Sequence, residues 1–248
     1  MKNTIFIQTN LESKIPALVS LYSFKKYNPD WDVKILYMDK DFTNFNIHDG
    51  KTFYRNVSSN KIEESERIIG EKKRELLGEC IWYKDSLQNF FPMRFLIPEY
   101  VNYKGVCLLV ESDMFCLKSL DNLLDYLKEN KKLSAVMQTA GPGKDLPASS
   151  VLLFDASKLK EWSFKNLSKF MFKEKKDFND FMYLRNMYHK NEVNILPLKY
   201  NDFNNINKET IITHMINTVT QPWKTGLDYS DDKLHNSKKN NENNIKKK

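Results

Sequence analysis

The chain has 248 residues, of which 41% are hydrophobic and 29% are charged, and its net charge is +7. This composition predicts a soluble globular protein with a full core, arranged as one large domain or two small ones. No stretch of 18 consecutive apolar residues occurs, so no membrane-spanning helix is predicted. The three cysteines lack metal-binding spacing and the N-terminus lacks a signal-like apolar region, so we expect a reducing, cytoplasmic location.

The positive charge is concentrated at the C-terminus. Residues 231–248 carry six lysines against three acids in a low-complexity, asparagine-rich sequence that cannot bury a core. We therefore expect one domain over residues 1–230 and a solvated basic tail over 231–248. The tail also suits weak electrostatic contact with an anionic membrane surface. No nucleic-acid-binding module is recognisable, so no nucleic-acid partner is predicted.

The first forty residues predict a βαβ unit. An apolar strand over Thr4–Gln8 is followed by a helix over Lys14–Tyr27, and Trp31–Met38 alternates as a second strand. The helix carries apolar residues at helical spacing, namely Ile15, Leu18, Val19, Tyr22 and Phe24.

The middle of the chain predicts a loop with short elements over 40–60, then helices over Lys61–Leu77 and Lys84–Leu96, with Pro98 ending the second helix. Strands are then predicted at Val106 onward, Ser134–Gln138, Ser149–Asp155, Val193–Pro197 and Thr210–His214. Helices are predicted over Leu120–Asn130, Ala156–Trp162, Phe164–Phe172 and Asp177–His189, with a turn at Gly141–Lys144. This alternation predicts an α/β domain with a mostly parallel central sheet flanked by helices.

Chemistry is expected where the most apolar strand ends. Val106–Val110 runs directly into Glu111-Ser112-Asp113, and an entirely apolar strand is typical of one buried on both faces. Ligands bind at the carboxyl ends of such strands, and two acids one residue apart in an extended chain point to the same side. The pair is suited to one divalent cation. The alternative is a strand that simply ends in a polar turn.

Six partial motifs in order resemble the GT-A type of nucleotide-sugar glycosyltransferases, particularly glycosyltransferase family 8. They are Arg94-Phe95-Leu96-Ile97-Pro98-Glu99, Glu111-Ser112-Asp113, Ser149–Phe154, Phe178-Asn179-Asp180, Leu196–Asn201, and His214 followed by Gln221–Gly226. The resemblance implies a single Rossmann-like GT-A domain that transfers a sugar from a nucleotide-diphosphate sugar, most simply a UDP-sugar, with retention of configuration. The acceptor, whether glycan, lipid or protein, is not readable from the sequence.

The resemblance also implies roles for individual residues. Glu111, Asp113 and His214 would bind Mn²⁺ or Mg²⁺, whose preference for oxygen ligands with one imidazole fits this set. Asp180 and Asn179 would act at the donor sugar, although Asp180 also suits an acid at a helix N-terminus. The residues assigned to donor binding are Thr9, Asn10, Arg94, Glu111, Ser112, Lys224 and Gly226.

Several of these residues have a simpler interpretation. Thr9 and Asn10 could equally be polar residues at the start of the following helix. Arg94 could either bind an anion near the site or lie at the surface with its side chain extended. The chain departs from the family in having Glu111 for the first aspartate and Gln221 for a lysine. A degenerate nucleotide-binding protein, or a nucleotidyltransferase, is therefore the alternative, although Thr9–Glu12 lacks the glycines of a nucleotidyltransferase loop.

Overall fold

The computed structural model describes residues 2–10, 13–37, 94–139, 143–170, 178–185, 187–189 and 191–216, with residues 174, 176 and 221. It also describes the backbone of 52–55, 62–65 and 81–82. The strands are β1 Thr4–Thr9, β2 Asp32–Tyr37, β3 Thr52–Arg55, β4 Ile62–Ser65, β5 Ile81–Trp82, β6 Val106–Glu111, β7 Met114–Cys116, β8 Leu133–Met137, β9 Pro147–Asp155, β10 Val193–Leu196, β11 Asp202–Phe203 and β12 Ile212–His214. The α-helices are α1 Lys14–Tyr27, α2 Ile97–Tyr100, α3 Phe164–Ser168 and α4 Phe178–Met182.

Six strands form the central sheet in the order β10-β8-β9-β6-β1-β2. The pairs β1–β2, β1–β6 and β10–β8 are parallel, and only β9 runs antiparallel to both of its neighbours. The prediction of an α/β domain with a mostly parallel central sheet is confirmed. Because β9 is reversed, its amino end lies at the edge where β1 and β6 have their carboxyl ends.

Both faces of the central sheet are covered. Residues 107–110 of β6 are at most 1% exposed, which confirms the prediction of a strand buried on both sides. Side chains alternate between the two cores: Phe6 and Leu109 pack in one, while Ile5 and Leu108 pack in the other. This alternation follows from the two-residue period of a strand, and it explains why the strand reads as an unbroken apolar run.

A small second sheet extends the molecule beyond the end of β6. β12 pairs antiparallel with β7 and parallel with β11. β7 begins only three residues after Glu111, so this sheet is joined directly to the end of the central strand. A third sheet, in the order β4-β3-β5, is antiparallel.

Helix α1 has the predicted bounds, but its apolar stripe faces outward and not toward the core. Its buried residues are Pro16, Ala17, Ser20 and Phe24, whereas Ile15, Leu18, Val19 and Tyr22 are exposed. An apolar stripe at helical spacing ordinarily faces the core. Here the buried side of the helix consists of three small residues and Phe24, and the longer apolar side chains lie on the outer side.

Two predictions for the middle of the chain are wrong. Ile62–Ser65 lies in β4, not in a helix, because it pairs with Thr52–Arg55, a short strand within the range predicted as a loop with short elements. Pro98 does not end a helix but lies in the first turn of α2, where its missing N–H costs nothing. Most of Lys61–Leu77 and Lys84–Leu96 lies outside the described residues.

Three other helices are shorter than predicted. Leu120–Asn130 contains a 3-10 turn at Leu123–Tyr126, and Ala156–Trp162 contains one at Ala156–Lys158. α4 occupies only the first turns of its predicted range, and Leu184, at φ 50°, has a left-handed conformation just past its end. α3 begins as predicted and continues as π-helix at 169–170, and the last two residues of its predicted range lie outside the described residues. None of the helices among the described residues is long and apolar enough to cross a bilayer.

Candidate active site

Two carboxylates and an imidazole meet at the carboxyl edge of the central sheet. The Nε2 atom of His214 lies 3.3 Å from Glu111 Oε2 and 3.3 Å from Asp113 Oδ1. One ligand atom of each residue lies within 4.8 Å of the others. The predicted set of Glu111, Asp113 and His214 is therefore brought together, although the residues are far apart in sequence.

The topology explains this convergence. Glu111 is the last residue of β6, and the chain turns through Ser112 and Asp113 into β7. β12 pairs with β7 so that His214 is opposite Met114, and the Met215 N–H donates to the Asp113 carbonyl at 2.9 Å. Pairing within the small sheet thus places His214 beside the two acids.

Arg94 fixes the position of Glu111. Its Nη2 lies 2.8 Å from Glu111 Oε1, and its Nη1 donates to the Ser149 carbonyl at 2.7 Å. Arg94 is 1% exposed, so the alternative of a surface position is wrong, and its role in donor binding stays a prediction. One guanidinium bridges two strands because its planar donors reach an acid and a carbonyl together. Glu111 Oε2 is left facing His214.

A second chain of hydrogen bonds orients His214. Its Nδ1 lies 2.9 Å from Asn201 Oδ1, and Asn201 Nδ2 donates to Ser150 Oγ at 3.1 Å. Because the Asn201 oxygen accepts, Nδ1 carries the proton and Nε2 is directed at the acids. The Phe203 ring packs against the imidazole, with centroids 5.2 Å apart.

The charged groups of this cluster shift one another's pKa values. Burial alone would lower the pKa of His214, but hydrogen bonds to Asp113 and Glu111 outweigh it and raise the pKa to about 9. Burial would raise the pKa of Glu111, but the charge of Arg94 and the bond to His214 lower it to about 2. At neutral pH, a protonated His214 therefore neutralises part of the acidic charge.

The three side chains fit a divalent cation. Six ligands at the 2.0–2.1 Å distance of Mg²⁺ stand about 3 Å apart from their neighbours in an octahedron. The two 3.3 Å separations are close to that spacing. The proton on Nε2 and a metal ion would occupy the same direction, so the imidazole needs no rotation to become a ligand.

Thr9 and Asn10 lie at the same edge. β1 is the parallel neighbour of β6, with Gln8 opposite Glu111. Thr9 Oγ1 donates to the Ser13 carbonyl at 3.0 Å, and the Ser13 N–H donates to Asn10 Oδ1 at 2.9 Å. These bonds form the polar entry to α1. Binding of a nucleotide by Thr9 and Asn10 stays a prediction, as does the assignment of Ser112, which lies in the turn between Glu111 and Asp113.

Asp180 is buried in α4 and forms an ion pair with Arg185, with Nε 3.1 Å from Oδ1. The next residue, Phe181, packs on Phe95 with ring centroids 5.2 Å apart, which places α4 beside the segment that carries Arg94. Asn179 lies in the same helix. A role of Asp180 and Asn179 at the donor sugar stays a prediction.

The segment after His214 is described at Gln221 alone among residues 217–248. Gln221 Nε2 donates to the Met215 carbonyl at 2.8 Å, so the residue in the place of the family's lysine is tied to the strand that carries His214. Lys224 and Gly226 lie outside the described residues.

Sequence reasoning missed the two residues that support His214. Both Asn201 and Ser150 lie in motifs of the family resemblance, but the sequence alone predicts no role for either. The available signal was the hydroxyl pair that opens an otherwise apolar strand, since a buried hydroxyl needs a hydrogen-bond partner.

Comparison with protein-family profiles gives no match, and neither does comparison with curated protein sequences. Solved structures are similar in fold. The galactosyltransferase LgtC, in complex with donor and acceptor sugar analogues, matches with a TM-score of 0.56 and 13% identity over 90% of both chains. The glycosyltransferase GlyE of Streptococcus pneumoniae TIGR4 matches with a TM-score of 0.55 and 16% identity. That match covers 90% of this chain and 56% of GlyE.

A third similar structure is a glycosyltransferase involved in glycosylation of the major capsid of PBCV-1, with a TM-score of 0.50 and 13% identity over 87% of this chain and 94% of that one. At such low identities the likeness concerns the fold. Together with the mixed central sheet and the acidic residues at its carboxyl edge, it shows that this chain has the fold of GT-A-type glycosyltransferases.

Proposed function

We propose that the protein is a metal-dependent glycosyltransferase that moves a sugar from a nucleotide-diphosphate sugar, a UDP-sugar by preference, to an acceptor. One observation carries this proposal. Glu111, Asp113 and His214 converge at the carboxyl edge of the sheet, in a fold shared with glycosyltransferases. We propose Mn²⁺ or Mg²⁺ as the ion and, following the family resemblance, retention of configuration.

Some residues of the site would bind the metal ion, and others position those ligands. Bound Mn²⁺ or Mg²⁺ supplies positive charge to a leaving diphosphate. Glu111 Oε2 and Asp113 Oδ1 would hold the ion together with His214 Nε2, which lies 3.3 Å from each of them. Arg94 holds Glu111 from behind, and Asn201 holds the imidazole, so the ligands are preorganised before donor binding.

The test is a panel of UDP- and GDP-sugars incubated with the full chain and Mn²⁺. Donor hydrolysis, which needs no known acceptor, is expected with at least one sugar and is expected to be lost on chelation and in Asp113→Ala. Asp121→Ala is a matched control, since Asp121 lies on the exposed surface. Failure of every nucleotide to shift the melting temperature with metal would overturn the proposal.

A degenerate, nucleotide-binding protein is the second candidate. Glu111 is engaged by Arg94, and Gln221 binds a backbone carbonyl where the related enzymes carry a lysine. Metal-dependent UDP binding without hydrolysis of any donor would favour this candidate. Anomeric analysis of a transferred product by NMR would separately test retention.

A further inference from the structure

The outer face of α1 carries an apolar stripe that the described part of the protein leaves exposed. We define the outer stripe as Ile15, Leu18, Val19 and Tyr22, which are 58%, 42%, 43% and 69% exposed. Positions spaced by three and four residues share one side of a helix, so the four side chains form a continuous surface. Single exposed apolar residues are ordinary, but a contiguous patch marks an interaction surface.

The helix is held firmly, so the stripe has a fixed orientation. On the opposite side, Ala17 and Phe24 are fully buried against the sheet. The Cys116 N–H donates to Ser23 Oγ at 3.0 Å, and Asn28 at the end of the helix donates to Cys116 Sγ at 3.3 Å and accepts from the Leu120 N–H at 2.8 Å. Rotation of the stripe into the core would break this packing.

The charges of α1 indicate what covers the stripe. Lys14, Lys25 and Lys26 are exposed, and residues 13–27 contain no acid. At 100° per residue, Lys14 and Lys25 flank the stripe beside Leu18, and Lys26 extends it by one turn. Lys26 Nζ lies 5.3 Å from the ring of Tyr27. An apolar centre with basic and aromatic edges is typical of helices that lie in the interface of a bilayer.

A second copy of the chain fits this surface poorly. A two-fold contact between two outer stripes would bring the lysines of one helix near the lysines of the other in either orientation, and the helix offers no acid to pair with them. Anionic headgroups are complementary to the same lysines, which extend their ammonium groups outward while their stems cover apolar surface.

We propose that the outer stripe of α1 docks the folded protein on a membrane surface rich in anionic lipids, with its apolar side chains in the acyl boundary and Lys14, Lys25 and Lys26 at the headgroups. The surface is distinct from the basic tail and from the candidate active site, and it does not depend on the proposed transfer activity.

The test is flotation of the full chain with vesicles of phosphatidylglycerol and phosphatidylcholine, beside vesicles of phosphatidylcholine alone. Wild type is expected to float with the anionic vesicles, and Leu18→Ser/Tyr22→Ser is expected to bind at least about tenfold more weakly. Lys25→Gln/Lys26→Gln is expected to lose roughly fivefold per lysine, and only on anionic vesicles. Ile15→Ser/Val19→Ser gives an independent variant of the same stripe.

The matched control is Ile195→Ser/Ile206→Ser, which removes two exposed apolar side chains elsewhere and is expected to bind as wild type. Circular dichroism confirms that each variant is folded. If wild type fails to float, or if the stripe variants float as well as wild type because the basic tail suffices, the proposal is overturned. Self-association in sedimentation velocity that Leu18→Ser/Tyr22→Ser removes, without flotation, would overturn it in favour of a second copy.

Discussion

At the scale of single residues, His214 is expected to couple metal binding to pH. Its pKa is raised to about 9, so in the metal-free protein Nε2 carries a proton at neutral pH. An ion that binds Nε2 must displace that proton. We therefore expect the affinity for Mn²⁺ to rise about tenfold per pH unit from pH 6.5 towards 8.5 and to level off above pH 9.

Calorimetric titration in two buffers of different ionisation enthalpy measures both the affinity and the proton released. His214→Gln is the control, since it retains a polar side chain but has nothing to titrate, and its weaker binding is expected to vary little with pH. An affinity independent of pH in the wild type would contradict a protonated His214.

Asn201 is expected to act on the metal through His214. Asn201→Leu removes the acceptor for Nδ1–H, and loss of such an orienting partner typically weakens metal binding about 10–100-fold. Asn201→Asp keeps an acceptor and is expected to restore most of the affinity. Nitrogen NMR of the metal-free protein well above pH 9, where the imidazole is neutral, distinguishes this role from general destabilisation. The neutral ring should lose its fixed Nδ1–H tautomer in Asn201→Leu only.

The candidate metal ligands were easier to predict from the sequence than the residues that hydrogen-bond to them. Glu111 and Asp113 follow an obvious buried strand, and His214 ends another, so a general rule about strand ends places them together. Asn201 and Ser150 follow no such rule, because their importance depends on a contact between residues 51 positions apart. The burial of Arg94 likewise depends on the reversed strand β9, whose direction the sequence does not reveal.

At the scale of elements, Asn28 fastens the end of α1 to β7, the strand that follows the candidate metal ligands. It is 4% exposed, donates to the Phe24 carbonyl at 3.1 Å, and accepts from the Leu120 N–H. Asn28→Ala leaves that N–H buried without its acceptor, which costs about 1–3 kcal/mol. We expect a corresponding loss of stability in urea unfolding.

Asn191→Ala is the matched comparison, because the Asn191 side chain is exposed. The hydrogen bond from Lys131 goes to the backbone carbonyl of Asn191, which the substitution retains. It is expected to change the free energy of unfolding by less than about 0.5 kcal/mol. Equal destabilisation by the two substitutions would argue against a fastening role for Asn28.

Strands were predicted better than helices, for a physical reason. The inner strands of the central sheet, β1, β6, β8 and β9, are buried on both faces over most of their length, so their apolar runs are unambiguous. The helices were judged from spacing, and spacing does not identify the buried side: in α1 the more apolar face is the exposed one. At the start of the predicted helix over Leu120–Asn130, the Leu120 N–H donates to Asn28, which is 92 residues earlier in the chain, and only a 3-10 turn forms at Leu123–Tyr126.

At the scale of the whole molecule, metal binding is expected to stabilise the fold. An ion present at 100 times its dissociation constant adds about 2.7 kcal/mol to the free energy of unfolding. For a chain of this size that corresponds to a rise in melting temperature of roughly 5–10 °C. Differential scanning fluorimetry with Mn²⁺ and with chelator measures it, and Asp113→Asn is expected to show no rise.

The wide separation of Glu111 and His214 has a consequence for how the protein acquires its site during synthesis. The acids are translated about a hundred residues before the histidine, and β12 can pair with β7 only after nearly the whole domain has left the ribosome. Contacts between such distant segments form late in folding. Metal binding would thus require that the tertiary structure of the domain is complete. Nascent molecules, and molecules cleaved before His214, would be distinguishable because they fail to retain the ion.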